Sequence, residues 1–153
     1  VRVNIAYFLI PKANVAYLYD DCTFRQGLEK MRHHGYTAIP VISREGKYMG
    51  TVSEGDFLWR ILDDNSGDSS REVSMKDMER LQVRDILKPG SCPPVRITFS
   101  IDKLVQSAMN QNFVPVVDDL GNFIGLVTRK SILHYLTGEK QEVGAPELLE
   151  KIV

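Results

Sequence analysis

Two short stretches carry residue types that could hold a small polar ligand. Ser53-Glu54-Gly55-Asp56 follows an apolar run and precedes Phe57-Leu58-Trp59-Arg60-Ile61-Leu62, so it reads as a helix start. A hydroxyl and a carboxylate three residues apart there project from the same end of the helix. The carboxylate can accept from two adjacent hydroxyls, and the serine can donate or accept beside it. A vicinal diol such as a ribose needs that arrangement. Free amides and the positive dipole end of the same helix favour a phosphate nearby. The competing explanation is plain capping, with Ser53 as N-cap and Asp56 at the third position. The second stretch, Thr128-Arg129-Lys130-Ser131, also opens an apolar helical pattern but has no carboxylate at the Asp56 position. A diol clasp is weaker there. Arg129 and Lys130 stand at a helix start and oppose its dipole. They are either solvated surface charge or cations reaching the phosphates of a ligand whose base is held by the first copy.

A flat base needs apolar faces and a few backbone groups for its edge. Asn14-Val15-Ala16 and Tyr36-Thr37-Ala38-Ile39-Pro40 are the candidate pocket for such a base. Ala16 and Ala38 are small enough to let a ring approach the backbone, and Tyr36 could stack on it. Val15 and Ile39, taken singly, read better as core residues. His33-His34 and His134 lack the spacing and the Cys or carboxylate partners of a metal site. Ser53 and Ser131 belong to no Ser-His-Asp pattern, which leaves an enzyme the weakest class. Phe57-Leu58-Trp59 reads as inter-domain core or dimer surface rather than a cofactor box.

The elements that position these residues occur twice. Sliding the chain by 75 positions lays Ile39-Pro40-Val41-Ile42 on Val114-Pro115-Val116-Val117, Gly46 on Gly121, Gly50 on Gly125 and Ser53 on Thr128. Such a repeat implies two structural copies packed on each other. Residues 3–10 read as a short helix ended by Pro11, matched by 83–88 before Pro89. Residues 14–18 and 94–97 are weak strand candidates. Thr23 and Gln26 form a capping-box pattern for a helix from 24 to 33 or 34, which Gly35 ends. Ser100 caps its counterpart, and that helix or its exit is two residues shorter. Residues 37–42 and 48–52, and 113–117 and 123–127, read as two hairpins that feed the helices opened by Ser53 and Thr128. Residues 63–72 are polar and read as a linker, 74–81 as a short helix, and 145–152 as a terminal helix with Pro146 in its first turn.

Each copy thus reads as strand, helix, strand, strand, helix. With a Pro-containing apolar strand and the steps Gly50-Thr51-Val52-Ser53 and Gly125-Leu126-Val127-Thr128 into the last helix, it resembles the CBS domain. A tandem pair resembles a Bateman module. The resemblance covers about residues 8–62 and 83–138, with 63–82 as linker and 139–153 as tail. It implies a mixed α/β (α+β) fold of two β-α-β-β-α repeats packed with pseudo-twofold symmetry. More narrowly, the chain is similar to small stand-alone CBS-pair receptors that bind cyclic di-AMP. The residues carrying this are Ile10-Pro11 with Asn14-Val15-Ala16, Gly35 through Pro40, and Val127-Thr128-Arg129-Lys130-Ser131-Ile132-Leu133. The Ser53-x-x-Asp56 step also matches the adenosine-ribose signature of AMP- and ATP-binding CBS modules. The resemblance therefore implies a homodimeric adenine-nucleotide sensor that needs no cofactor and regulates a partner protein. A structural association module with empty clefts is the rival class.

Composition agrees with a soluble domain pair: 43% of the 153 residues are apolar and 25% charged. Each half is near the lower limit for a self-sufficient core, so a shared interface is expected. A net charge of −1 gives no broad electrostatic case for nucleic acid or an anionic membrane. Cys22 and Cys92 form no CxxC and read as free thiols in a reducing compartment, the cytoplasm. No secretory signal is visible, and the longest apolar run, residues 5–10, is too short to span a bilayer. The chain does not open on Met, so its natural start can lie upstream.

Overall fold

Local signals set the elements of each repeat, and a computed structural model shows how the two repeats combine. It describes residues 3–65 and 75–138. Most of the polar linker and the expected terminal helix at 145–152 lie outside the described residues. In chain order the elements are α1 (Ile5–Phe8), β1 (Ile10–Pro11), β2 (Leu18–Tyr19), α2 (Phe24–His34), β3 (Ala38–Ile42), β4 (Tyr48–Ser53), α3 (Glu54–Asn65), α4 (Met75–Arg80), α5 (Val83–Ile86), β5 (Val95–Arg96), α6 (Ile101–Asn110), β6 (Phe113–Val117), β7 (Phe123–Thr128) and α7 (Arg129–Leu136).

The helix signals act as read. Thr23 and Gln26 form the reciprocal capping box of α2, and Gly35 ends that helix in the left-handed region at φ 68°. Ser100 caps α6 by accepting from the Lys103 amide. Two expectations need correction. The first lead-in helix is only four residues long, because Pro11 drives the chain before it into extended backbone. The strand expected at 14–18 is replaced by a 3-10 turn at Lys12–Asn14, with strand pairing confined to Leu18–Tyr19.

Each repeat forms a small sheet in which a parallel strand and an antiparallel hairpin meet. The first has the order β2-β3-β4, the second β1-β7-β6-β5. Both hairpins carry the same irregularity, between Val41 and Ile42 and between Val116 and Val117, with Gly50 and Gly125 paired opposite the two valines. A duplicated bulge is a detail that only a duplicated unit would keep.

The lead-in segments are exchanged between the repeats. Ile5 and Phe8 of α1 are buried with Leu104, Val114, Val116 and Val127, the core of the second repeat. Val83 and Ile86 of α5 are buried with Phe24, Met31, Ile39 and Phe57, the core of the first. The strand after α1 follows its helix, and Ile10 and Pro11 pair antiparallel with Leu126 and Gly125. A third apolar cluster, containing Val15, Ile42, Phe113, Phe123 and Leu126, joins the two sheets. At the hairpin tips the Tyr48 amide donates to the Gly121 carbonyl at 3.1 Å, and the Phe123 amide to the Gly46 carbonyl at 2.9 Å. These are the same bond made in both directions across a pseudo-twofold axis.

Gly125 makes this exchange possible. Its φ is 155°, and a Cβ there would collide with the carbonyl oxygen of Ile10. Gly125→Ala is therefore expected to cost at least about 2 kcal/mol in urea unfolding, from overpacking against backbone that cannot yield. Gly55→Ala, which meets only Ser53 Oγ at 3.6 Å, leaves stability within about 1 kcal/mol. Equal midpoints for the two variants would show that β1 is not held against β7.

Candidate functional site

The β3–β4 hairpin brings the sequence-singled residues of the first repeat together. Ala38 pairs with Ser53 across the hairpin, and the Glu54 amide donates to the Thr37 carbonyl at 2.9 Å. The Thr37-Ala38 backbone therefore runs beside the first turn of α3. Ser53 and Asp56 cap that turn reciprocally. Asp56 Oδ2 accepts from the Ser53 amide at 2.8 Å and from Ser53 Oγ at 3.1 Å, while Ser53 Oγ accepts from the Asp56 amide at 3.3 Å. Capping is thus real, and it uses one carboxylate oxygen. The other, Oδ1, lies 3.4 Å from Lys88 Nζ. For that oxygen a diol would compete with the Lys88 ammonium and not with the cap.

Lys88 is a residue that the motifs missed. It belongs to the lead-in of the second repeat, which is stitched across β4. Leu87 lies where a Cβ on Gly50 would be. Ser91 Oγ donates to the Thr51 carbonyl at 3.1 Å and accepts from its amide at 3.4 Å. The Tyr48 hydroxyl donates to the Cys92 carbonyl at 2.7 Å and shares a bond with Thr51 Oγ1. Burial raises the pKa of the Tyr48 hydroxyl and of the Cys92 thiol above their ordinary values. Burial likewise pushes the Cys22 thiol up to about 11. Cys22 and Cys92 are both free cysteines.

The candidate base pocket divides. Val15 is buried in the cluster between the sheets, and Ile39 and Pro40 are fully core. Ala16, Thr37 and Ala38 are half-buried and Asn14 is exposed, so these four line accessible ground. Tyr36 is buried on the first core and stacks on His34 with ring centroids 5.2 Å apart. One face of its ring is therefore already covered. Desolvation, then His33 and Lys30, hold the His34 imidazole below the ordinary histidine value. No group of three or more His, Cys, Asp or Glu among the described residues could hold a metal. No helix among them is long and apolar enough to cross a membrane.

In the second repeat Thr128 caps α7 by accepting from the Ser131 amide at 3.1 Å, and Ser131 Oγ donates back to the Thr128 carbonyl at 2.8 Å. Lys130 is exposed. Arg129 resolves the conflict with the helix dipole by turning away from it. Its Nε donates to the Ala108 carbonyl at 2.6 Å and its Nη2 to the Met109 carbonyl at 3.5 Å. The shortened exit of α6 has Gln111 in extended backbone where α2 has its left-handed Gly35. The last carbonyls of α6 thus lose one usual partner, and the guanidinium supplies donors at the negative end of that helix.

Arg129→Ala is accordingly expected to destabilise the fold by about 1–3 kcal/mol and to speed hydrogen exchange at the end of α6. Arg129→Lys, with no forked donor, recovers only part of the loss. Unfolding midpoints and exchange rates equal to wild type would remove the capping role.

Against this geometry the comparisons with known proteins are consistent. CbpB in complex with c-di-AMP superposes with a TM-score of 0.78 at 23% identity, covering 89% of this chain and 85% of that one. The Listeria monocytogenes CbpB protein in complex with c-di-AMP gives 0.74 at 25% identity, covering 88% and 95%. CBSX2 in complex with AMP gives 0.69 at 23% identity, covering 90% and 98%. A family model for the CBS domain matches twice, at residues 9–63 and 83–138. Two matches on the two exchanged repeats, spanning well over half of the chain, make this protein a member of the CBS-domain family built as a tandem pair.

Proposed function

We propose that the protein is a non-enzymatic adenine-nucleotide sensor whose ligand occupies the cleft beside α3. One observation carries this reading. The Thr37-Ala38 backbone and the Ser53-Asp56 pair converge on one end of one helix, with one Asp56 oxygen not used by the cap. The sugar takes Asp56, the base lies along Asn14, Ala16 and Thr37-Ala38, and the α3 N-terminus faces the phosphate. Cyclic di-AMP is the preferred ligand, with AMP or ATP second. Support comes from CbpB proteins bound to c-di-AMP and CBSX2 bound to AMP, which share this fold. Thr128 and Lys130 serve the second half of a dinucleotide, and Arg129 joins them only by exchanging its helix carbonyls for phosphate oxygens.

The sensor acts by changing the surface it offers to a partner protein in the cytoplasm. A ligand shifts such a balance only through its differential affinity for two states. It works as a homodimer. Leu58, Trp59 and Leu62 on α3 and Leu133, Tyr135 and Leu136 on α7 are large apolar residues left exposed, Trp59 by 62%. They are the apolar surface that a second copy would cover.

A structural association module is the second reading. It is favoured by the same pair: Ser53 and Asp56 satisfy each other, and Lys88 neutralises the remaining oxygen.

Isothermal titration with cyclic di-AMP, AMP, ATP and adenosine separates the two readings. Binding of at least one nucleotide is expected, and Asp56→Asn should weaken it roughly tenfold to a hundredfold by removing a charge-assisted bond. No heat with any of them favours the empty module. Light scattering should find a dimer that Trp59→Glu shifts toward monomer with the fold intact. A wild-type monomer at high concentration would end the dimer proposal.

A further inference from the structure

The charged groups of the first cleft come from different repeats, and the second cleft lacks both. Asp56 corresponds to Ser131. Lys88, before Pro89, corresponds to Ile10, before Pro11. Where the carboxylate is present a lysine faces it, and where it is replaced by a hydroxyl the lysine is replaced by an apolar residue. A capping carboxylate needs no lysine: the cap is complete through Oδ2 alone. The paired change therefore points to a use for the lysine beyond the fold.

We propose that Lys88 makes the first cleft selective for phosphorylated adenosine over adenosine. It holds Asp56 Oδ1 while the cleft is empty and transfers its ammonium to the ligand's phosphate when the sugar hydroxyls take that oxygen. This rests on the nucleotide reading given above. Asp56 is deeply placed, with 12% of its side chain exposed, whereas 69% of the Lys88 side chain is exposed. An exposed ammonium forms a weak, screened ion pair, so releasing the carboxylate costs little. A bond from the same ammonium to a phosphate at the positive end of α3 is stronger.

The backbone beneath Lys88 is anchored on both sides, by Leu87 against Gly50 and by Ser91 on Thr51. The exchange is therefore a swing of one flexible side chain. The first turn of α3 is open at Gly55. A side chain at Gly55 would meet only Ser53 Oγ within 4 Å, while the corresponding residue of the second repeat is Lys130. Because Lys88 arrives from the other repeat, its move also links occupancy to the junction between the halves.

The test is titration of wild type, Lys88→Met and Lys88→Arg with adenosine, AMP and cyclic di-AMP at low and high salt. Lys88→Met removes the charge and keeps the stem. It should weaken the phosphorylated ligands about tenfold or more. It should leave adenosine unchanged or bind it more tightly, because the competitor for Asp56 is gone. Lys88→Arg should restore most of the nucleotide affinity. Equal losses for adenosine and nucleotides would mean that Lys88 only shapes the cleft, and unchanged affinities would mean that it contributes nothing; either overturns the proposal. Wild type that binds none of the three overturns the nucleotide reading itself, and the role of Lys88 with it.

Discussion

The exchange of lead-in helices between the repeats is the constraint on which the rest of this structure depends. Each repeat has one sheet and two helices, too little to close a core alone. The missing apolar cover is supplied from the chain segment that precedes the other repeat. Ile5, Phe8, Val83 and Ile86 are each buried on the opposite core. At about 1.5–3 kcal/mol per buried side chain, the four contribute on the order of 6–12 kcal/mol as an upper estimate. That is comparable with the whole stability of a typical domain. Neither half is therefore an independent unit, and whatever moves one lead-in is felt by both cores.

The start of α3 inherits its surroundings from that exchange. Because the second lead-in crosses the first repeat's β4, Lys88 reaches Asp56 at the start of α3, and Ser91 reaches the Thr51 backbone from 40 residues away in the chain. The same crossing in the other direction places Ile10 and Pro11 on β7 by backbone pairing rather than by side chains. The two crossings are equivalent in sequence position but are made differently. One is polar and bridged through hydroxyls and an ammonium; the other is a short antiparallel strand.

Much of this was legible in the residues. The hairpins, the capping box at Thr23 and Gln26, the stop at Gly35 and the N-caps Ser53 and Thr128 are local signals, and each acts over three or four residues. The convergence of Thr37-Ala38 with Ser53-Asp56 follows from hairpin register, which the repeat itself fixes. What could not be read was long-range placement. Nothing local says that the helix before one repeat will seal the other, nor that Tyr36 will be covered by His34. The strand β1 escapes a local reading for a related reason. Ile10-Pro11 is too short to carry a strand signal, and it pairs only because Gly125 lets its carbonyl approach.

Arg129 shows how a local rule can be broken for a distant gain. A cation in the first turn of α7 is unfavourable to that helix. Helix and exit together are two residues shorter at α6 than at α2, and the left-handed glycine that closes α2 is absent there. The Ala108 and Met109 carbonyls then needed donors, and the nearest place to put them was the start of the next helix along the sheet. One side chain thereby leaves a positive dipole end and completes a negative one. The first repeat kept its glycine, so the equivalent position could remain acidic as Glu54, beside Asp56. A change in one helix exit thus set the opposite charge character at the two helix starts. The two helix starts differ in chemistry while the hairpins that lead into them keep the same register.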